Sequence, residues 1–202
     1  MNLYIRLAVM LFISLTLISC SDKGSGSSDK FSFEIDSSKI NPVTKLSEFK
    51  IEFHAPVNWV EYSSELSDKV ISPLSGSRYE RGNFIFKPSH VFIDTKTNSV
   101  LSVGIVESTG DRSSEAKNYE DYIALLKLKY ASESMEVNSS SKGEIKFSRI
   151  IIHMKNIVSE KFLLLDHSRK LIQFEYSTQQ QNYTTLQPAI ESSMGTLISS
   201  FK

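Results

Sequence analysis

The chain has 202 residues, 40% of them hydrophobic and 23% charged, with 23 basic side chains matched by 23 acidic ones. Length and composition suit one ordinary globular domain with residues left over for addressing, and they exclude a disordered chain. A balanced charge lacks the basic excess of a nucleic-acid binder and offers no polybasic attraction to anionic lipid, so nucleic acid is not expected as a partner.

Met1 to Arg6 carries one positive charge, and Leu7 to Ile18 is an uncharged apolar run. A run of that length is too short to span a bilayer core, which needs roughly 20 helical residues. It has the size of a signal-peptide core, with small Ser19 ahead of the cut. The single cysteine, Cys20, follows at once, and a lone cysteine has no internal disulfide partner. Leu17-Ile18-Ser19-Cys20 resembles the bacterial lipobox. The resemblance implies cleavage after Ser19 and acylation of Cys20, with two or three acyl chains at about 0.8 kcal/mol per buried methylene holding the product at a membrane. The alternatives are an ordinary signal peptide with a coincidental cysteine, or an uncleaved helix. Removing Arg6 with the leader leaves 22 basic against 23 acidic side chains, a net charge of −1. Ser21 to Lys30 is dominated by Gly and Ser and reads as a flexible tether. By its resemblance to enterobacterial sorting signals, Ser21 in place of Asp favours the outer membrane in an organism that has one. The expected organisation is residues 1–19 signal peptide, 20–30 acylated cysteine and tether, and 31–202 one domain.

From Phe31 the apolar residues alternate, at Phe31, Phe33 and Ile35 and again at Phe49, Ile51 and Phe53. Glu61 to Gly82, with Pro73 and Gly76, reads as an irregular loop or insertion. Further strands are predicted at Asn83 to Phe86 and Ser99 to Glu107. Tyr119, Tyr122, Ile123, Leu126 and Tyr130 then follow helical spacing, with Asn118 and Asp121 as a cap-like start. Three strands follow at Glu144 to Met154, Ser159 to Asp166 and Lys170 to Ser177. Short polar stretches join them, including an Asp166-His167-Ser168 turn, so an antiparallel meander is expected. Ile150, Ile151 and Ile152 imply apolar cover on both faces. A last helix is predicted from the stripe Leu186, Ile190, Met194, Leu197 and Phe201, capped by Thr184 or Thr185, with Pro188 in its first turn. Gly195 inside it costs about 1 kcal/mol relative to Ala, so packing must hold this helix. The expected fold class is α+β, an antiparallel sheet flanked by helices.

An early strand running into a Pro-x-x-Trp turn, Phe49 to Trp59 here, joins the mid-chain helix, the meander and a terminal helix ending in Ser200-Phe201-Lys202. Together these resemble the PsbP-like family over roughly Phe31 to Lys202. The resemblance implies an α/β/α sandwich and a binding or assembly role, and it carries over no catalytic residues.

Nucleophilic catalysis needs an activated Ser, Thr or Cys beside a base. There is no Gly-x-Ser-x-Gly elbow, and Cys20 is taken by lipid. A triad built on His153 or His167 remains the route to a tethered hydrolase. Metal ligands cluster at characteristic spacings, whereas His54, His90, His153 and His167 lie far apart; a pair of them with a carboxylate such as Asp166 would need folding to gather it. No metal and no cofactor are expected. The candidate recognition residues are Arg78, Tyr79, Arg81 and Phe84, at the end of a loop and rich in side chains favoured at interfaces, together with Trp59. A solvated loop and a core anchor are the plainer readings of these two features. The expected function is a non-enzymatic, membrane-tethered binding or assembly-support protein of the cell envelope with a protein partner. A tethered hydrolase and a structural envelope-integrity lipoprotein are the alternatives.

Overall fold

The computed structural model describes residues 33–62, 84–109, 115–142, 145–166 and 168–199. Cys20, the tether, Arg78, Tyr79, Arg81, His167 and Phe201 lie outside them. The described residues form two antiparallel sheets and two helices, a mixed α+β architecture. The strands are β1 (Ile40–Leu46), β2 (Ile51–Pro56), β3 (Val60–Tyr62), β4 (Phe84–Asp94), β5 (Ser99–Ser108), β6 (Ser134–Lys142), β7 (Ile145–His153), β8 (Ile157–Leu165), β9 (Leu171–Gln179) and β10 (Ile198–Ser199). The helices are α1 (Glu115–Lys129) and α2 (Gln180–Gly195). The larger sheet runs β3-β4-β5-β9-β8-β7-β6, and the smaller runs β1-β2-β10.

Alternation along each strand sends successive side chains to opposite faces of the larger sheet. One face packs on α1 through Phe84, Phe86, Val106, Tyr122, Leu126 and Leu163. The other carries the main core, closed by α2 and the smaller sheet. There Phe53 meets Phe92 and Phe174 edge-on, with ring centroids 5.7 and 5.2 Å apart, and each such pair adds about 0.5–1.5 kcal/mol beyond its buried area. Ile150 and Ile152 join the α1 side while Ile151 joins the main core, so β7 is covered on both faces.

The meander β7-β8-β9 is observed with continuous pairing from Phe147↔Leu164 to His153↔Val158 and from Ile157↔Gln179 to Leu165↔Leu171. Other expectations need correction. Residues 33–36 form no strand; Phe33 instead stacks on Phe147 at 5.6 Å and packs on Phe162 at 5.8 Å. Phe49 lies in the β1–β2 turn, its N–H donating to the Leu46 carbonyl at 3.1 Å. Glu61 and Tyr62 belong to β3 rather than to a loop. Helix α1 begins at Glu115, so Asn118 and Asp121 lie inside it.

Helix α2 also begins earlier than its apolar stripe implied. The Gln180 N–H donates to the Asn156 carbonyl at 2.9 Å, which lets β9 pass directly into the helix, and the Gln179 side chain supplies no cap. Pro188 therefore lies in the helix interior, where the lost hydrogen bond and ring clash cost about 3 kcal/mol; buried Tyr183, Ile190 and Met194 provide the compensating packing. The helix stops at Gly195, where an added Cβ would lie 2.9 Å from both Ile35 Cγ1 and Phe33 Cβ. That contact closes the end of the helix over residues 33–35. Leu197 is buried beyond the helix, and Ile198 pairs with Glu52 in the smaller sheet.

A bulge in β4 between Pro88 and His90 reverses its alternation, so Phe84 and Phe86 face α1 while Phe92 faces the main core. Gly104 lies opposite Pro88, and a Cβ there would be 2.1 Å from the Lys87 carbonyl oxygen. Only glycine lets β5 approach the bulge.

Candidate functional site

The two charged clusters of the sheet are internal ties. On the α2 face, Arg149 of β7 and Glu160 of β8 are 4% and 0% exposed, with Nε donating to Oε1 at 2.6 Å. Arg149 Nη2 reaches Glu191 of α2 at 2.9 Å, and the Tyr183 hydroxyl donates to Glu160 Oε2 at 3.0 Å. Burial pushes the Glu160 carboxyl upward, and the Arg149 guanidinium opposes that push. For Arg149, burial works against the charge, and Glu160 more than offsets it, so the guanidinium is held above its ordinary range.

On the α1 face, Lys161 Nζ lies 2.6 Å from Glu175 Oε1, the Ser159 hydroxyl donates to the same oxygen at 2.8 Å, and Gln173 donates to Oε2 at 3.0 Å. Tyr122 of α1 completes the chain by donating to Gln173 at 2.8 Å. Burial raises the Glu175 carboxyl, but Lys161 pulls it below its ordinary range. A carboxylate so held is a poor proton acceptor for Ser159, and the arrangement has the chemistry of a structural tie rather than of a nucleophile and base.

The histidines stand in separate places. His54 Nδ1 lies 2.7 Å from the Asn41 carbonyl oxygen, and His153 meets the Tyr183 ring edge-on at 5.8 Å. His90 lies between two carboxylates, Glu61 at 2.7 Å from Nδ1 and Glu48 at 2.6 Å from Nε2, an arrangement sequence reasoning missed. Glu48 has a lowered pKa: burial raises it, and its own backbone N–H and His90 more than reverse that. Among the described residues no group of three or more His, Cys, Asp or Glu could hold a metal ion. Asp166 accepts from the Lys170 N–H at 2.8 Å, in its own hairpin.

Of the candidate recognition residues, Trp59 and Phe84 are the two described, and the fold does not bring them together. Trp59 is 3% exposed and meets Tyr176 edge-on at 5.9 Å in the main core. Its N–H donates to the Pro56 carbonyl at 3.2 Å, and Asn58 takes a left-handed φ of 70° in the same turn, a conformation asparagine tolerates. Phe84 is 7% exposed and packs on Tyr122 of α1, 5.4 Å between ring centroids. Both rings are anchors in these surroundings.

A cavity of about 600 Å³ lies at one end of the larger sheet. Val100, Ser177 and Ile157 are among its lining residues, and Val100 pairs with Ser177 while Ile157 pairs with Gln179. Three chain junctions meet around these strand ends. Asn98 comes from the β4–β5 turn, Lys155 and Asn156 from the β7–β8 turn, and Gln179, Gln180 and Gln181 from the passage of β9 into α2. The first junction is fixed by a hydroxyl chain: Thr97 donates to Asp94 Oδ2 at 2.7 Å, Ser99 Oγ lies 2.8 Å from Thr97 Oγ1, and Ser99 Oγ lies 2.8 Å from Thr178 Oγ1. Asn98 is held there at φ 53°. The second is fixed by Met154 N–H to Ile157 carbonyl and Gln180 N–H to Asn156 carbonyl, both 2.9 Å. The walls are thus ordered by bonds that leave the side chains of Asn98, Asn156 and Gln180 without a partner among the described residues. Among the described residues no carboxylate lines the cavity, and Lys155 is the one charged lining residue. Such a rim can bind and orient a polar molecule over aliphatic surface, and its volume falls within the roughly 300–1,000 Å³ of small-molecule sites.

Compared with known proteins, the chain matches no family model and no curated protein.

Proposed function

We propose that the chain is a lipoprotein of a bacterial cell envelope, tethered through acylated Cys20, whose domain is a non-enzymatic binding or assembly-support module with its ligand in the carboxamide-rimmed cavity. The observation that carries this reading is the preformed rim itself: ordered walls, uncharged donor–acceptor groups and an apolar floor. The route of α2 adds to it. Gln180 and Gln181 at the start of α2 line the cavity, while Ser192 near its end accepts from the Asp36 N–H at 3.1 Å, close to where the described chain begins. Gln180 and Ser192 are twelve residues apart along the helix, a rise of about 18 Å. The described chain therefore begins beside the end of α2 that lies away from the cavity, which suits a site held away from the bilayer. The strand into the Pro56–Trp59 turn, α1, the meander and α2 support a PsbP-like assignment.

Mass spectrometry of the natively processed product tests the tether. A diacylglyceryl thioether on Cys20 with residues 1–19 removed is the expected result, and a free thiol or a start downstream of Cys20 overturns it. The site is tested by thermal melts against a panel of short peptides and small saccharides. A bound ligand at 100 times its dissociation constant stabilises by about 2.7 kcal/mol, and Asn156→Ala with Gln180→Ala should abolish that gain while leaving the unliganded melt in place.

A further inference from the structure

We infer that the cavity is a receptor for a peptide carboxyl terminus ending in an aliphatic residue. The inference rests on the proposed ligand site and specifies what fills it. Each carboxamide presents a donor and an acceptor side by side, the pattern that matches the N–H and C=O of a peptide bond. Asn98, Asn156 and Gln180 bring three such groups, without a partner among the described residues, to one rim. Gln179 and Gln181 are bonded to each other at 3.0 Å and act as wall.

The charge pattern then narrows the ligand. Among the described residues, Lys155 is the one charged side chain in the lining and has no ion-pair partner. One ammonium suits one carboxylate and is too little for a polyphosphate or polyanion, which calls for a cluster of Arg and Lys. The absence of a carboxylate among the described lining residues disfavours a basic ligand. Val100 and Ile157 supply aliphatic surface beneath the rim, and no aromatic ring among the described residues lines the cavity to stack on the face of a sugar. A chain end satisfies all three features at once: its carboxylate meets Lys155, its last peptide bonds meet the carboxamides, and its terminal side chain covers Val100 and Ile157. The volume of about 600 Å³ accommodates a few residues rather than a folded element. The terminus can belong to a protein or to a free short peptide, which share this chemistry.

Titration calorimetry on the full processed chain in detergent tests the inference with N-acetyl-Ala-Ala-Val, its carboxyl-terminal amide, N-acetyl-Ala-Ala-Lys and a di-N-acetylated amino-sugar disaccharide. The free acid ending in Val is expected to bind. Amidation, or Lys155→Gln, should each weaken it about tenfold, as removal of a charge-assisted bond does, and the two losses should not add. Val100→Asp should weaken the Val-ended peptide more than the Lys-ended one. Equal binding of acid and amide, or preferred binding of the disaccharide, overturns the peptide terminus while leaving the cavity as a ligand site, provided Asn156→Ala or Gln180→Ala still weakens that binding. If no probe binds up to millimolar concentration, or if binding ignores Asn156 and Gln180, both the inference and the site fall. Fusion of the Ala-Ala-Val end to a folded carrier separates the sources: retained affinity points to protein termini, and loss of it restricts the ligand to free peptides.

Discussion

Removing Arg149 is the most demanding test of how α2 is fastened. In Arg149→Met the Glu160 carboxylate, 0% exposed, keeps the Tyr183 hydroxyl at 3.0 Å but loses its guanidinium. Breaking a buried pair from one side costs about 3–5 kcal/mol, a large part of the roughly 5–15 kcal/mol that holds a domain together. At about 2–4 °C per kcal/mol for a domain of this size, the melting temperature should fall by about 6–20 °C. Burial already pushes Glu160 upward, and loss of Arg149 leaves only the Tyr183 hydroxyl to oppose that push. With the folded pKa above the unfolded one, the folded variant binds the extra proton, so its stability falls as pH rises through that window, by up to about 1.4 kcal/mol per pH unit. Urea melts at pH 5 and pH 8 should therefore show the larger deficit at pH 8. Arg149→Met with Glu160→Leu should recover most of the loss. A cost below about 1 kcal/mol at pH 8, a deficit independent of pH, or a double variant as unstable as two independent losses would refute this account of the pair.

Three further outcomes follow from local geometry. Gly104→Ala should destabilise by at least the roughly 1–3 kcal/mol of an overpacked core, because its Cβ would meet the Lys87 carbonyl oxygen at 2.1 Å; a urea midpoint equal to wild type would disprove the close approach. Arg169→Gly should stabilise by about 0.5–1 kcal/mol, since Arg169 holds a φ of 61° in the β8–β9 turn and relief of left-handed strain outweighs the added chain freedom; a lower midpoint would contradict it. Asp36 has its pKa lowered from 3.8 to about 2 by the hydrogen bond from Lys39 and then by those from Ser38. Its contribution is present above 3.8 and is lost as pH falls toward 2, so Asp36→Asn should flatten the acid limb of the melting profile there; an unchanged limb would show that the carboxylate is unimportant.

The parts of the fold legible in the sequence are those where local pattern and tertiary demand agree. Glu144 to Ser177 alternates, carries turn residues between strands and packs on both sides, and β7, β8 and β9 appear within a few residues of their expected limits. Strand β6, Ser134–Lys142, was not legible, because its Ser- and Asn-rich stretch resembles a linker and becomes a strand by pairing with β7 along its whole length. Strand β1 was hidden by Pro42, which lies at the irregularity between Ile40 and Val43 on an edge of the smaller sheet, where a missing N–H is tolerated. Nothing in the alternation of these strands marks Arg149, Glu160 and Lys161 as buried, or Glu175 as half-buried. The Ile150–Ile152 run held the missing signal: cover on both faces buries its polar neighbour Arg149 as well, and a buried charge requires a partner. The cavity residues were not singled out at all. Asn98, Asn156 and Gln180 are ordinary turn and linker residues until the β5-β9-β8 register assembles them.

The same register gives the buried charges a role beyond stability. A hydrophobic replacement of a buried ion pair is often neutral or favourable, so Arg149, Glu160, Glu191 and Tyr183 are better understood through the position they impose on α2. An apolar helix underside slides or rotates with little change in contact area, whereas Arg149 to Glu191 and Tyr183 to Glu160 each admit one alignment of helix against sheet. Tyr183 lies in the first turn of α2, immediately after the glutamines of the cavity rim, and Glu191 lies one residue before Ser192, which bonds the Asp36 N–H. The two ties therefore fix both ends of the helix, the end that shapes the cavity and the end next to Phe33. A variant with Arg149→Met and Glu160→Leu that melts like wild type yet loses cavity binding would separate that positional role from stability. If it binds as wild type does, the ion pair has no part in shaping the rim.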